Sequence, residues 1–447
     1  MSNPSSLRGV RYLAGACLAL ASSTVAAAQG APRAAGPALT AAERAVVQAV
    51  DAHAAESIAL LRRIVDINSG TMNFAGVRAV GDSLGSELRA LGFTTRWVDG
   101  ASFGRAGHLV AEHPGSGPKI VLIGHLDTVF ETSSPFQRFE LLPDSMARGP
   151  GIIDMTGGDV IIVAALRALK DVGRLDAMNV TVVYDGDEED AGAPLSAARA
   201  ALTDAARGAQ YAIGFEDGAA DPKTAVIARR SAGGWRLRST GTPAHSGQIF
   251  KPEVGAGAVF VASRVVADFY RQMAGEQYLT FNPGLAAGGT LVSVDTTGTV
   301  GQVAGKSNVV AEHAEVTGDL RTLTPEQLAR AQRTMRAIVA KSLPRTSSTL
   351  TFDEGYPPMA PTAGNRRLLA LYDRASRDLG LGPVVAVDPS RAGAADVSFV
   401  AHLVPMLIDG VGLTGHDDHT VRETADLRAL RTQTARAALL LARIGTR

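Results

Sequence analysis

The stretch KIVLIGHLDTVF (119–130) is a short apolar run that breaks off into a histidine and an aspartate two residues apart. The pattern returns in RGPGIIDMTGGDV (148–160), VTVVYDGDEED (180–190) and YAIGFEDG (211–218), each time with acidic residues directly after an apolar run. Continuous apolar runs bounded by turn residues are the mark of strands buried on both faces. Alternating with helical stretches at 157–171 and 195–207, they predict an α/β fold with a mostly parallel sheet and helices on both faces. In an open sheet of this kind the ligand crevice lies at the carboxyl ends of the strands. The four turns therefore carry His125, Asp127, Asp154, Glu188, Glu189 and Glu216 to one rim. An imidazole among several carboxylates suits a pair of divalent cations, zinc first, and so a metallohydrolase.

Outward from that core, the 447 residues exceed one ordinary domain and predict two. The chain is 46% apolar and 20% charged, and Lys+Arg 44 balances Asp+Glu 44. With no long basic run, neither nucleic acid nor an anionic membrane surface is an expected partner. At the N-terminus Arg8 and Arg11 precede LAGACLALASSTVAAA (13–28), which reads as a secretory signal peptide over 1–28, cleaved after Ala28. The expectation is a secreted, periplasmic protein with no membrane attachment once the signal is gone. The alternative, a membrane anchor, fits poorly because the run is short and serine-rich. Cys17 is the single cysteine and leaves with the signal, so no internal disulfide forms and metal ligands must be nitrogen and oxygen. Residues 29–39 form a flexible lead-in.

Thr40 and Glu43 make a capping box that opens a helix running to about Asn68, and a second helix runs from Phe74 to Leu91 before Gly92. Strands are expected near 93–98 and 107–113, and the first part of the catalytic domain covers 40–228. Beyond it, RRSAGGWRLRSTG (229–241) alternates like an exposed antiparallel strand. A helix at 253–274, strands near 289–297 and 311–321, a helix at 325–342 and a strand at 348–353 complete a β-α-β-β-α-β order. That order predicts an inserted ferredoxin-like α+β domain over 229–356, left through the Pro-rich EGYPPMAP (354–361). The α/β pattern resumes over 357–447, with a helix at 364–380, a strand at 384–388, a helix at 393–402, a strand at 404–408 and a last helix at 424–443.

Taken singly, the chemical signals are weak. The His125–Asp127 spacing lets the ring bind a metal while a carboxylate holds its other nitrogen, but a buried, hydrogen-bonded histidine is the commoner fate. Asp154 could simply cap a helix, and Glu188–Glu189 could be a solvated acidic turn. Together they are more telling, because carboxylates so close repel unless cations offset them.

GHLDTV, GPGIIDMTGG, DGDEED, GFED and the late GHDDHTVRETADL (415–427) occur in the order seen in the M20 family of di-zinc metallopeptidases. The set resembles most its glutamate carboxypeptidase and acylase branch, over essentially all of residues 40–447. The resemblance implies a zinc-peptidase catalytic domain, an inserted dimerisation domain, a homodimer and two Zn2+ per subunit. It assigns His125 and Glu216 to one zinc, Glu189 and His419 to the other, and Asp154 to a bridge between them. In this family the peptide bond after the bridging aspartate is often cis, here Asp154–Met155. Asp127 would orient His125, and Glu188 would be the general base. In similar proteins the last ligand precedes a glutamate by about four or five residues, so the resemblance favours His419, four before Glu423, over His416. GTPAHSG (241–247) resembles the segment whose histidine, here His245, reaches a neighbouring subunit's site to stabilise the oxyanion. GKSNVV (305–310) and GDLRTL (318–323) place Asn308 and Arg321 for a substrate carboxylate, and RAGAAD (391–396) offers Gly393 as a lining residue.

The chain departs from the family pattern at Thr156, where lysine is common, and at Asp217, where proline or glycine often follows the glutamate ligand. Tyr356 stands where some glutamate-specific relatives carry a basic residue, which removes the ground for expecting glutamate selectivity. The expected activity is a metallocarboxypeptidase acting on short peptides or N-acyl amino acids beside a free carboxylate. An N-acyl-amino-acid deacylase or a dipeptidase is the close alternative. An inactive periplasmic peptide-binding scaffold is the non-enzymatic one, and the full ligand set with Glu188 argues against it. The absence of G-x-S-x-G leaves a serine esterase without its nucleophile elbow.

Overall fold

In the computed structural model of the protein, residues 39–217 and 221–445 are described; the signal peptide read at 1–28 and nearly all of the lead-in lie outside them. Thr40 opens the first helix as a capping box, its hydroxyl accepting from the Glu43 amide while the Glu43 carboxylate accepts from the Thr40 amide. The helix does not continue to Asn68. It divides at His53 into α1 (Ala41–Ala52) and α2 (Ala54–Val65), where the His53 ring is held by Asp171 at 2.6 Å and Glu56 at 2.8 Å. That break has no local breaker residue; Asp171, distant in sequence, supplies the contact. After α3 (Phe74–Ala90) come β1 (Thr94–Asp99), β2 (Gly107–His113) and β3 (Lys119–His125). They are followed by α4 (Gly157–Asp171), β4 (Asn179–Asp185) and β5 (Tyr211–Gly214). The helix expected at 195–207 is interrupted at Arg199, whose side chain turns inward to buried carboxylates.

The central sheet also takes β10 (Met406–Ile408), and its order is β1-β2-β4-β3-β5-β10. Pairings of β4 with β3, β3 with β5 and β5 with β10 are parallel, while β2 runs antiparallel to both of its neighbours. The sheet is thus mostly parallel, as the buried runs required. β3 shows why its sequence is apolar throughout. Ile120 and Leu122 enter the core beneath α4 and the last helix, α8 (Leu427–Ile444), while Val121 and Ile123 enter the core on the opposite face. Each such side chain contributes roughly 1.5–3 kcal/mol on burial.

The second sheet is built from β6 (Gly233–Gly241), α5 (Gly257–Met273), β7 (Thr280–Gly289), β8 (His313–Arg321), α6 (Pro325–Val339) and β9 (Thr346–Phe352). Its order is β7-β8-β6-β9, antiparallel throughout, with Trp235, Phe269 and Met335 packed between sheet and helices. This is the ferredoxin-like arrangement. α5 starts later than 253 because Gly255 and Gly257 adopt left-handed conformations (φ 71° and 75°). The strand expected at 289–297 divides in two. Its predecessor β7 was concealed by Pro283 and Gly284, where the register shifts, and Leu291–Val294 forms a separate hairpin with Gly301–Ala304. On the return, α7 (Ala363–Asp378) precedes two shorter elements than expected. Val385–Ala386 pairs with Thr224–Ala225 outside the central sheet, and the helix expected at 393–402 is a single 3-10 stretch, Asp396–Val400.

Candidate metal centre

β3 ends on His125, β4 ends just before the 186–190 turn, and Glu216 follows β5 by two residues. These are the carboxyl ends of adjacent parallel strands, so the side chains converge. Asp154 arrives from the turn ahead of α4, in which Gly151 has φ 64° and the Asp154–Met155 peptide is cis. Close approach of α4 to the end of β5 depends on Gly158, where a Cβ would lie 2.0 Å from the Phe215 carbonyl oxygen. The late segment returns with β10 at the edge of the sheet beside β5 and brings His419 over the same rim, at φ 57°.

Asp154 lies between the two imidazoles. Its Oδ1 is 3.2 Å from His125 Nε2, and its Oδ2 is 2.8 Å from His419 Nε2. Glu216 stands 3.5 Å from His125 Nε2, and Glu189 stands 3.3 Å from His419 Nε2. Ligand atoms of His125, Glu188 and Glu216 lie within 4.8 Å of one another, as do those of His125, Asp154 and Glu189, and of Asp154, Asp418 and His419. On distance alone Glu188 could also ligate on the His125 side. His416 is exposed and belongs to none of these groups.

The His125 ring is oriented differently from the sequence expectation. Its Nδ1 is bonded to the main-chain carbonyl of Asp127 at 2.9 Å, whereas the Asp127 carboxylate is 3.6 Å away. That carboxylate instead accepts the amides of Glu188 (3.0 Å) and Glu189 (3.1 Å) and the Thr71 hydroxyl (2.7 Å). A short strand-end turn leaves the backbone oxygen nearer the ring than the side chain, which is free to hold the next turn.

The electrostatics follow from crowding. Burial first, then the charges of Asp396, Glu189 and Asp154, pushes the Glu188 carboxyl well above the usual range, against His125. Burial likewise raises Glu216 and Glu189, opposed by His125 and His419 respectively. Asp154 is held low despite burial, because both histidines bond to it. His419 is pushed up to about 11 by Asp154 and Glu189. Burial would lower His125, yet Glu216, Asp154 and Glu188 drive it well above its ordinary value. The cleft thus concentrates negative charge that two imidazoles, with Arg229 and Arg391 in its wall, only partly offset. A divalent cation pair would supply that compensation and free both rings as neutral ligands. The donors are nitrogen and oxygen only, and Glu189 Oε1 is buried with no hydrogen-bond partner, so the residues fit such ions.

The cleft, about 330 Å³, is also lined by Asp217, Arg229, Arg391, Gly393 and Asp418. Gly393 takes its place there because its carbonyl accepts from Arg229 Nη1 at 2.8 Å, and Arg229 is itself locked to Asp409 at 2.7 Å. Arg229 escaped the sequence reading, although the RR doublet at the start of the second sheet was its signal. Glu423 served there only as a spacing mark. It accepts the amides of Gly151, Ile153 and Asp154 at 3.0, 2.8 and 3.2 Å, and burial with the Asp154 charge pushes it up to about 8 against those three donors. His245, Asn308 and Arg321 do not line this cleft in the single chain. His245 and Asn308 are exposed neighbours, the Ser246 amide donating to the Asn308 carbonyl at 2.9 Å, and Arg321 pairs with Asp319 at 3.1 Å.

A family model described as peptidase family M20/M25/M40 matches residues 121–443. Carboxypeptidase G2 of Pseudomonas sp. (strain RS-16) is 27% identical over 399 residues, covering 87% of this chain and 89% of that protein. Among solved structures, the aminopeptidase PepT of Bacillus cereus superposes with a TM-score of 0.68 at 18% identity, covering 88% of this chain and 98% of that one. The Bacillus subtilis protein described as a dinuclear metal binding peptidase superposes with a TM-score of 0.61 at 16% identity, covering 88% and 99%. The chain belongs to peptidase family M20/M25/M40 and is a metal-dependent hydrolytic peptidase.

Proposed function

We propose that this protein is a di-zinc carboxypeptidase that hydrolyses the amide bond next to a free carboxylate, releasing a C-terminal amino acid from short peptides or N-acyl amino acids. The observation that carries the reading is Asp154 offering one oxygen toward each histidine, with Glu188 in the same cleft. In this reading His125 and Glu216 hold one ion, Glu189 and His419 hold the other, and Asp154 joins them. Bound zinc would polarise the scissile carbonyl and lower the pKa of water at the site. Glu188, raised by burial and its acidic neighbours, is suited to take the proton of the attacking water and pass it to the departing amine nitrogen as the C–N bond breaks. Arg321 and Asn308 lie outside the cleft of the single chain and would clamp the substrate carboxylate only after a domain movement or from a second copy, and His245 would stabilise the oxyanion in the site of a second copy. A homodimer through the second sheet supports that geometry: β7 is an edge strand, and the exposed Val259 and Tyr270 on α5 line a groove with its Phe281 and Ala286. Residues 229–356 then act as an inserted dimerisation domain.

Zinc-loaded protein should be screened on N-acyl amino acids and dipeptides with varied C-terminal residues. Turnover that requires a free carboxylate beside the scissile bond supports the reading, and equal turnover of the amidated analogues refutes it. A strict demand for one acyl group would favour the deacylase alternative. Glu188→Gln should abolish turnover while zinc stays at about two per subunit. Mixing inactive His245→Ala and Glu188→Gln homodimers tests the shared site, since restored activity requires residues from both copies. Export to the periplasm belongs to the same proposal, and cell fractionation with N-terminal sequencing tests it.

A further inference from the structure

The Glu188 peptide is held from both ends. On its amide side the Asp127 carboxylate accepts from Glu188 and Glu189. On its carbonyl side the Tyr356 hydroxyl donates to the Glu188 oxygen at 2.9 Å. Tyr356 is remote in sequence and stands where the chain crosses back from the second sheet. Its main chain is paired there with Ala232 on the outbound crossing, Tyr356 N to Ala232 O at 2.8 Å and Ala232 N to Tyr356 O at 3.0 Å. The hydroxyl is aimed by a buried arginine: Arg199 Nη2 donates to it at 2.9 Å and to the Asp187 carbonyl at 3.1 Å. Arg199 is fixed in turn by Asp187 Oδ1 at 2.5 Å and Asp396 Oδ1 at 2.7 Å, and Phe399 packs against the tyrosine ring at 4.9 Å.

A tyrosine hydroxyl has one proton to give, and here it goes to the Glu188 carbonyl while the oxygen accepts from Arg199. Both ends of one peptide unit are therefore fixed by groups that are themselves fixed, which restricts rotation of that unit and so the reach of its side chain. We propose that Tyr356, aimed by Arg199, is a positioning residue for Glu188 and ties the placement of the second sheet to the reach of the base. The inference rests on the reading of Glu188 as the general base.

The test uses Tyr356→Phe, which removes the hydroxyl and keeps the ring, in zinc-loaded full-length enzyme. The substrate is the N-acyl amino acid or dipeptide of the screen that turns over fastest. The expected result is a fall in kcat of about tenfold, short of the roughly hundredfold that a misplacement of about 1 Å costs, with KM and zinc content unchanged. The same substitution in a Glu188→Asp background, where the base is already displaced, should cost less than about twofold, because groups acting through one another are not additive. An equal loss in both backgrounds would overturn the inference, as would wild-type kcat in Tyr356→Phe alone. Full turnover by Glu188→Gln would instead remove the base assignment, and this positioning role with it. Should Tyr356→Phe lose stability, Arg199→Lys offers a second reading of the same contact, expected to lower kcat with KM unchanged.

Discussion

Replacing Glu423 by glutamine tests whether the turn that carries Asp154 is held by a single carboxylate. Glu423 Oε2 accepts the Gly151 amide, and Oε1 accepts the amides of Ile153 and Asp154. Glutamine keeps one acceptor oxygen and turns the other into a donor, so in either amide orientation at least one buried N–H faces an NH2 group. Hydrogen bonds to a charged acceptor are worth about 1.5–3 kcal/mol and neutral ones about 1. Losing one and weakening two should cost roughly 2.5–7 kcal/mol before relief of the buried charge is set against it, a large share of the 5–15 kcal/mol that typically separates folded from unfolded chains. Loosening the turn also loosens the carboxylate that both histidines face, and outer-contact losses of this kind lower metal affinity by about 10–100-fold. Urea unfolding and zinc titration at about pH 8.5, above the Glu423 value, would read both effects. Unchanged zinc affinity together with a stability loss below about 0.5 kcal/mol would refute the reasoning.

Three further outcomes follow from the same geometry. Chelation of the metal should lower the melting temperature, since a ligand held at 1,000 times its Kd stabilises by about 4 kcal/mol; differential scanning calorimetry with and without chelator measures it, and equal melting would contradict a metal-binding cleft. Arg229→Met breaks the buried pair with Asp409 and frees the Gly393 carbonyl, so it should cost about 3–5 kcal/mol of stability and raise KM, measured by urea unfolding and steady-state kinetics. Asp396 is pushed up to about 7 by burial, with Asp185 and Asp187 adding to the effect and Arg199 opposing it. The folded chain therefore keeps this proton where an unfolded aspartate has lost it. The group's contribution is complete below about pH 4 and disappears as pH rises to 7, at roughly 1.4 kcal/mol per pKa unit. Asp396→Asn should flatten that part of the metal-free stability profile, and an unchanged slope would contradict it.

The strand ends were legible because burial on both faces forces an uninterrupted apolar run, and the acidic turns after β3, β4 and β5 stand out against it. His419 was reachable only through the family resemblance and its spacing from Glu423, which said nothing of the three amides that Glu423 holds. What stayed hidden was set by contacts distant in sequence. His53 breaks a helix for the sake of Asp171, and Arg199 breaks another for Asp187 and Asp396. The Asp127 role shifted from side chain to backbone because pattern reading names a residue and not which of its oxygens faces the ring. β7 was misplaced because its Pro283 and Gly284 resemble a turn more than an edge strand, where an unpaired amide is tolerated.

The distance along the chain between the two halves of the metal centre carries a consequence for synthesis. Glu423 and Gly151, bonded in the fold, are 272 positions apart, and the whole second sheet is made between them. A ribosome-bound chain that has produced everything through β9 already owns His125, Asp154, Glu189 and Glu216, yet has neither the second histidine nor the carboxylate that steadies the Asp154 turn. The rim is therefore complete only when the last few dozen residues have folded back, and β10 and α8 act as the closing step of assembly rather than as mere packing.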